Sequence, residues 1–452
     1  MRHLHRTLLR LAALSLSALL LGGCTMREVP LREMPSVAAT VEPAPSFTPE
    51  PVRYRAVYRC GETVLAEELV LSRDRFTPPE APDGVRLLGW MNEQGETVDP
   101  HDLPADGDMV FYADTRLIPD ALSLRIPGDG NGLFRPASPL LRESLRSAVD
   151  MLSGGRAAVA ESAEDPSPEE CGGAEVYQAL SFFFTDSELD AAFLSCALEP
   201  SAETVQRQEL LRLLDALIPA DGTDAERAPY FPDVAPDAPY YAAVCRFAEA
   251  GEKTPADLAA LALDSYLWLD GALYAWDGEA HFLCDQEVDG LFFDGNGRYS
   301  SGNAELDEYV RQTVAERLDL SVSRLDNLKK LYLHVKNDFQ YLVRNHHASG
   351  ETGWEIDEAL TLYRTGKGNC YCYTSVFWSL ARGLGYNARV WSGTMGTQNQ
   401  PHAWTEITLD GHVYICDPEI ELNYWLLEMY TDNFMMPIEA SLGWNYLAVG
   451  RN

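Results

Sequence analysis

The amino-acid sequence predicts a multidomain protein with an α+β C-terminal third, preceded by a small β-rich domain and a mainly helical region with short β-hairpins. The chain has 452 residues, which is more than one compact core usually holds. Its hydrophobic pattern changes from strand-like alternation over 51–116 to helical spacing over 118–255. Residues 256–303 alternate around glycine turns, and residues 304–452 then combine helices with strands.

The composition is that of a folded protein with a strongly acidic surface. Hydrophobic residues make up 46% of the chain and charged residues 23%, which are ordinary globular proportions. The formal net charge of −34 argues against nucleic acid or an anionic membrane surface as the main ligand, because phosphates are repelled. A cationic partner is favoured, although solubility alone is the simpler reason for such a charge.

The N-terminus has the pattern of an export signal. The first ten residues are basic, and the apolar run LAALSLSALLL that follows is too short to span a bilayer. The run leads into the segment LGGC, whose cysteine is Cys24. This segment resembles the lipobox of bacterial lipoproteins, in which the signal is cut before an acylated cysteine. The resemblance implies a signal peptide at 1–23, a flexible tether at 24–50 and a lipid anchor on the extracellular face of a bacterial membrane. An ordinary secretory signal with an incidental cysteine is the alternative.

The other cysteines form neither a metal motif nor a disulfide framework. They are scattered singly, except for the C-x-C pair at 370–372. No metal site is predicted, and most of these cysteines are expected to be small buried apolar side chains.

Residues 51–116 contain the strand-like runs VRYRAVYRC, VLAEELVL and MVFYADTRL, with LLGWMNEQG between the last two. This order resembles the small β-grasp-like surface repeat of bacterial internalins. The resemblance implies a spacer or adhesion module with Trp90 in its core.

Residues 118–255 resemble parts of S-layer homology repeats, which bind cell-wall polysaccharide. GDGNGLFRPASPLLRESLRSAVDML places Glu143 in the acidic motif position, and TVQRQELLRLLDAL repeats the pattern at Arg207 and Glu209. YFPDVAPDAPYYAAVCRFAEAG resembles the opening half, with Asp233 and Tyr241. The first two segments lack the threonine before arginine. Retained wall binding and structural descent with lost binding both stay open.

Residues 256–303 read as short aromatic hairpins, SYLWLDGALYAWDG and VDGLFFDGNGRYSSG, with Asp-Gly pairs as turns. They resemble the aromatic repeats of cell-wall-binding modules, whose rings can stack on sugars. In the alternative, which is favoured, the aromatic rings build the core of a small sheet: Trp268, Tyr274, Trp276 and Phe293. Asp294 and Asn296 are expected to form a turn, because no complete calcium loop surrounds them.

From residue 304 the sequence predicts two helices before a glycine-rich turn. Ser323 begins an amphipathic helix whose apolar positions fall at three- and four-residue steps: Leu325, Leu328, Tyr332, Val335, Phe339 and Leu342. A second helix covers 354–365 and stops at Gly366. A third, apolar helix has Cys370 in its first turn and ends at Gly385.

This placement predicts thiol chemistry. Cys370 lies where unpaired N–H groups and the helix dipole stabilise a thiolate and can hold an oxyanion. A hairpin about the Asp410–Gly411 turn has His402 and Asp417 near its open end, so a carboxylate can lie beside an imidazole. Nucleophile, base and orienting acid can thus come together.

Four separated motifs strengthen this prediction: G-x-G-x-C, R-x-L-G-Y-x-A-R-V-x-S-G, H-A-W-x-E and L-D-G-x-x-x-x-x-D-P. Together they resemble the transglutaminase-like superfamily. The resemblance implies a papain-like α+β fold, in which the cysteine heads a central helix packed on an antiparallel sheet. It carries the catalytic roles to Cys370, His402 and Asp417, and no cofactor is required.

Other residues of the same types fit the roles less well. Cys372 lies on another side of the helix, and Cys416 is expected to face the core. His412 follows the hairpin turn and is expected to be exposed. His346 and His347 lie in a polar loop that can border the cleft.

Two further assignments concern aromatic and amide side chains. Trp404 in the H-A-W motif is expected to pack rather than to catalyse. The second oxyanion donor stays open, with Asn369 and Trp354 as alternatives.

The predicted function is a cell-surface thiol enzyme that acts on amide bonds of protein or peptide substrates through a cysteine acyl-enzyme. Hydrolysis is favoured over cross-linking, and cell-wall polysaccharide is a further possible partner. The alternative is a catalytically idle binding or scaffolding lipoprotein of the cell surface or wall.

Overall fold

The computed structural model describes residues 50–157, 170–220, 231–249, 254–278 and 281–451. Within them it contains eleven α-helices and seventeen β-strands, and Arg53–Asn452 form one compact unit. The predicted signal peptide, Cys24 and all but the last residue of the predicted tether lie outside the described residues. None of the helices in the described ranges combines the length and apolarity needed to cross a bilayer. The domain boundaries suggested by the sequence remain predictions.

The first strands form a mixed sheet in the order β2-β1-β5-β3-β4, with β1 parallel to β5. They are β1 (Arg53–Cys60), β2 (Thr63–Leu71), β3 (Val85–Met91), β4 (Thr97–Val98) and β5 (Met109–Leu117). Trp90 is buried, as predicted, and packs edge-on against Tyr58, which stacks on Phe111. A single 3-10 turn, Pro100–Asp102, precedes β5.

Five helices then surround a second apolar core. They are α1 (Arg142–Ser153), α2 (Gly173–Leu180), α3 (Asp186–Ser195), α4 (Arg207–Leu217) and α5 (Tyr241–Phe247). Glu143 lies in the first turn of α1, where a carboxylate suits the helix dipole. Asp233 is buried and accepts the backbone N–H groups of Phe134 and Arg135 at 2.9 and 2.6 Å. Its carboxylate therefore ties two segments of this core together.

The predicted aromatic hairpins are present. They follow α6 (Pro255–Ala259) and comprise β6 (Ala262–Leu263), β7 (Tyr266–Leu269), β8 (Ala272–Ala275), β9 (Gln286–Val288), β10 (Leu291–Phe293) and β11 (Tyr299–Ser300). The four aromatic rings singled out above are all buried, as the core alternative predicts. Tyr274 and Trp276 pack in a cluster of hairpin residues, whereas Trp268 and Phe293 pack in a core shared with the C-terminal helices. Asp294 accepts the backbone N–H groups of Asn296 and Arg298, which makes the predicted turn.

The remaining helices are α7 (Ala304–Arg317), α8 (Arg324–Asp338), α9 (Glu355–Thr365), α10 (Cys370–Gly383) and α11 (Pro418–Leu426). The Ser323 hydroxyl accepts the N–H of Asp326 at 3.1 Å, so the predicted cap of α8 is confirmed. The predicted continuation to Leu342 is wrong. The chain leaves the helix after Asp338 because the N–H of Leu342 pairs with the carbonyl of Gly368 at 2.8 Å.

That pairing belongs to a small parallel ladder between β12 (Gln340–Tyr341) and β13 (Lys367–Gly368). Leu342, beyond β12, is 49% exposed, and Leu325, at the other end of the predicted stripe, is 42% exposed. The apolar spacing therefore overestimated the buried face of α8 at both ends.

An antiparallel sheet packs against α10. Its strands, in sheet order, are β14 (Asn387–Met395), β15 (Gln400–Leu409), β16 (His412–Cys416) and β17 (Met436–Pro437). Asp410 and Gly411 both have positive φ, at 52° and 76°, as a two-residue hairpin turn requires. The Thr405 hydroxyl donates to the carbonyl of Thr374 at 3.2 Å and joins sheet to helix.

The hairpin segment and the C-terminal helices share one core. The Trp268 indole donates to the carbonyl of Gly383 at 3.0 Å, at the end of α10. Arg382 donates to the carbonyl of Gly290 at 2.7 Å and to the hydroxyl of Tyr299 at 3.0 Å. These bonds hold the C-terminal end of α10 against the hairpins.

We predict that Arg382→Met lowers the free energy of unfolding by roughly 2–4 kcal/mol, because partly buried acceptors in the hairpins lose their donor from the end of α10. Urea denaturation followed by circular dichroism measures the change. Arg298→Met is the matched control: its side chain is 46% exposed and pairs only at 3.9 Å with Asp294. The control should change stability by less than about 0.5 kcal/mol. Equal losses in both variants would contradict this role of Arg382.

Candidate active site

Cys370 is the first residue of α10, and its side chain is 3% exposed. Backbone N–H groups in the first turn of a helix lack intrahelical partners, and the dipole there favours negative charge. The approach to this turn requires Gly368, because a Cβ at that position would lie 2.4 Å from the Cβ of Cys372. The chain can therefore pass from β13 into α10 only with glycine before Asn369.

His402 and Asp417 meet next to this helix. Nε2 of His402 donates to Oδ2 of Asp417 at 2.6 Å, and the side chains are 6% and 0% exposed. His402 lies within β15, whereas Asp417 follows β16 and forms the N-cap of α11. Because Thr405 pairs with Cys416, the two residues are diagonal neighbours across the hairpin rather than direct partners.

Two further donors fix the carboxylate of Asp417. Its Oδ1 accepts the backbone N–H of Ile420 at 3.0 Å, and its Oδ2 accepts the hydroxyl of Tyr446 at 2.9 Å. A carboxylate with three hydrogen-bond donors can stay charged in a buried site.

The thiol of Cys370 is one of the groups that raise the pKa of His402, so it acts on the same ring. Since Nε2 is held by Asp417, Nδ1 is the nitrogen available to take the proton of the thiol. Burial alone would lower the pKa of His402. The charge and hydrogen bond of Asp417, together with the thiol, outweigh burial and hold that pKa well above its usual value of 6.5. The imidazole is therefore a strong base that can be stabilised as imidazolium.

Glu419 is a feature of the site that the sequence did not reveal. Its Oε2 lies 3.8 Å from Nδ1 of His402, and the side chain is 3% exposed. Burial raises the pKa of Glu419 to about 7; His402 opposes this shift and Asp417 adds to it. An acidic residue in a first helical turn is common, so the sequence carried no signal of this contact. Tyr446 was missed as well, because no motif includes it.

The alternatives for the second oxyanion donor fare differently. The indole N–H of Trp354 donates to the carbonyl of Glu351 at 2.9 Å. Indole has one donor, so Trp354 as the oxyanion donor through its side chain is wrong. The amide of Asn369 donates to the carbonyl of Asn345 at 3.1 Å and retains a second N–H, so that alternative stays a prediction.

The competing cysteines are held in other environments. The thiol of Cys372 donates to Oε2 of Glu358 at 2.7 Å. Burial, with Glu358, raises the pKa of Cys372 to about 12. Cys416 lies in the core beside Met435, as predicted, and burial raises its pKa to about 12. Neither thiol is suited to act as a nucleophile.

The competing histidines have other surroundings than His402. His412 is exposed at the hairpin turn, as predicted, and His346 is exposed in the loop before α9. His347 stacks on Trp354 with ring centroids 5.0 Å apart. Trp404 is fully buried in a core cluster, so the packing prediction for it is confirmed.

One group of ligand-type atoms could in principle surround a cation. His402, Asp417 and Glu419 offer atoms that lie within 4.8 Å of one another. However, Oδ2 of Asp417 already accepts from both His402 and Tyr446. These hydrogen bonds suit His402 and Asp417 for proton transfer, and we assign no metal ligands here.

Comparison with known proteins identifies this part of the chain. Residues 311–418, which include Cys370, His402 and Asp417, match the Transglutaminase-like superfamily. No curated protein matches the chain. Among solved structures, a candidate cysteine protease from Cytophaga hutchinsonii is similar, with 20% identity and a TM-score of 0.17. The match covers 22% of this chain and 32% of that one, so it spans about a third of the protease's length.

We predict that Glu419→Gln stabilises the protein more at high than at low pH. The unfolded carboxyl ionises near pH 4.5 and the folded one near 7, so wild-type stability falls as pH rises between these values. The free energy of unfolding of the variant, relative to that of the wild type, should rise by about 2 kcal/mol between about pH 5.5 and about pH 8. Urea denaturation at the two pH values measures this. A gain that does not depend on pH would contradict the raised pKa.

Proposed function

From the premise that residues 311–418 form a transglutaminase-like domain, we propose that the protein is a thiol enzyme acting on amide bonds of protein or peptide substrates. The observation that carries this proposal is the buried 2.6 Å hydrogen bond between His402 and Asp417, beside a cysteine at a helix N-terminus. Burial keeps water from competing for the hydrogen bonds and strengthens the electrostatic coupling of the three groups.

The proposed reaction has two halves. Nδ1 of His402 takes the proton of Cys370, and the thiolate attacks the amide carbonyl carbon. The backbone N–H groups at the start of α10 stabilise the oxyanion. His402 then protonates the leaving amine, the C–N bond breaks, and a thioester to Cys370 remains. Water or a primary amine attacks this thioester, gives a proton to His402, and releases the thiolate.

Hydrolysis is the proposed outcome, and transfer to an amine is the alternative. Both outcomes share the acyl-enzyme, and they differ only in which acceptor reaches the thioester. The sequence lacks the calcium and zymogen signatures of the eukaryotic cross-linkers, which favours water.

The place of action is proposed from the N-terminal motifs alone. Lipid attachment at Cys24 would hold the enzyme on the outer face of a bacterial membrane, where wall peptides and surface proteins are within reach. The helical region of α1–α5 is the candidate for binding wall polysaccharide. The aromatic hairpins are not, because the four rings that resemble sugar-stacking residues are buried.

The second candidate is a surface binding or scaffolding protein with an idle domain. The burial of Cys370 and His402, at 3% and 5% exposure, favours it, because a substrate must reach the thiol. In the enzyme, the side chains that cover the thiol must move aside for a substrate; Trp354, at the start of α9, packs in the same cluster as Cys370. Thiol reactivity distinguishes the two candidates.

We predict that iodoacetamide alkylates Cys370 at a rate that stays high below pH 8.5, where an ordinary thiol ionises. His402 supplies the base, so His402→Ala should slow the labelling at least tenfold at pH 7. Peptide mass spectrometry identifies the labelled site. Cys372 and Cys416 serve as internal controls: both are fully buried with pKa values of about 12, and should stay unlabelled in the folded protein. An ordinary thiol profile unaffected by His402→Ala would favour the idle protein.

We also predict that the acyl-enzyme is resolved by water. A peptide library is incubated in 18O-labelled water together with a biotinylated primary amine, and products are sorted by mass. Carboxyl products with one 18O, absent with Cys370→Ala, are expected. Biotinylated products that depend on Cys370 would show amine transfer instead.

A further inference from the structure

The first turn of α11 carries two glutamates whose carboxyl groups have very different hydrogen-bond and ion-pair partners. Glu421 accepts the hydroxyl of Tyr332 at 2.7 Å and the ammonium of Lys336 at 2.8 Å. Glu419 accepts only the amide of Asn423 through Oε1. Across the described ranges of the chain, no lysine or arginine pairs with Glu419. A buried carboxyl without such a partner is costly, and it needs an explanation.

The other oxygen of Glu419 faces the reaction centre. Its Oε2 lies 3.8 Å from Nδ1 of His402, the nitrogen that must exchange a proton with Cys370. Asp417 holds the opposite nitrogen of the same ring at 2.6 Å. The imidazole is thus flanked by one carboxyl at each nitrogen, both supplied by the start of α11.

We propose that Glu419 is a positioning residue for the reaction: it is a second carboxyl partner of His402 and stabilises the imidazolium from the Nδ1 side. Asp417 is permanently bonded and fixes the tautomer. Glu419 is close enough to favour the charged ring and too distant to replace the thiol as the partner of Nδ1.

Glu419 also acts on three phenols. Its charge adds to the raised pKa values of Tyr341 from β12, Tyr373 from α10 and Tyr446 from the C-terminal segment. Burial raises the pKa of each of these phenols, so none is charged near pH 7. The charged neighbours of Glu419 are therefore His402 and Asp417.

The effect on the reaction has a defined sign. An ionised Glu419 favours the charged form of His402, so it raises the pH at which the ring loses its proton. Because the pKa of Glu419 is itself about 7, this support increases as the pH rises through neutrality. Removal of the carboxyl should move the loss of the imidazolium to lower pH.

The test compares two alkylating agents on Cys370 of the full chain. Iodoacetate is an anion and reacts faster beside an imidazolium, whereas iodoacetamide is neutral. The ratio of their rates therefore reports the charge of His402 as pH rises. Glu419→Gln should lower the midpoint at which the ratio falls by about one pH unit. Glu421→Gln, also buried in α11 but facing Lys336, should leave the midpoint unchanged. No shift in Glu419→Gln, or equal shifts in both variants, would overturn the proposal.

This inference rests on the proposed function, so a second measurement separates the two. Carboxyl 13C NMR of the glutamate-labelled protein should show one resonance with a midpoint near pH 7 that is missing from Glu419→Gln. In His402→Ala that midpoint should rise, because the carboxylate loses its cationic partner. An unchanged midpoint would overturn the contact even if Cys370 is reactive. If the midpoint of Glu419 rises in His402→Ala but Cys370 is alkylated like an ordinary thiol, the contact is supported and the proposed enzymatic function is contradicted.

Discussion

The structure around the site depends on keeping the carboxylate of Asp417 charged in a fully buried position. Removing a charge from water costs several kcal/mol unless hydrogen bonds replace the solvent. Here His402, the N–H of Ile420 and the hydroxyl of Tyr446 do so, and each comes from a different segment. The sheet, the first turn of α11 and the C-terminal tail must therefore all be in place before the imidazole is oriented.

The same constraint reaches α8. The hydroxyl of Tyr332 donates to the backbone carbonyl of Asp417 at 3.0 Å and to Glu421 at 2.7 Å. Tyr332 also packs edge-on against Phe377 of α10. One side chain of α8 thus joins the helix that carries the nucleophile to the turn that carries the acid.

Much of this arrangement follows from local patterns in the sequence. The glycine turn before Cys370 and the Asp410–Gly411 hairpin are set by backbone conformation, so the positions of His402 and Asp417 near one another could be predicted. Each of these inferences depends on residues close in sequence or on one known turn geometry.

The rest depends on long-range contacts that leave no periodic signal. Tyr446 reaches Asp417 from a segment without a motif, and Glu419 looks like an ordinary helix-start acid. A long-range contact also explains the early end of α8. The N–H of Leu342 bonds to the carbonyl of Gly368 in β13, which is distant in the sequence. Tertiary pairing there overrode helical spacing.

The most direct test of the account is the charge of His402, followed by 15N NMR of the imidazole as a function of pH. The account predicts that wild-type His402 keeps its second proton well above pH 6.5, with the Nε2 proton bonded to Asp417. In Asp417→Asn the pKa of His402 should fall, because burial then acts without the opposing carboxylate. A wild-type ring that titrates at or below 6.5, or one unaffected by Asp417→Asn, would contradict the account.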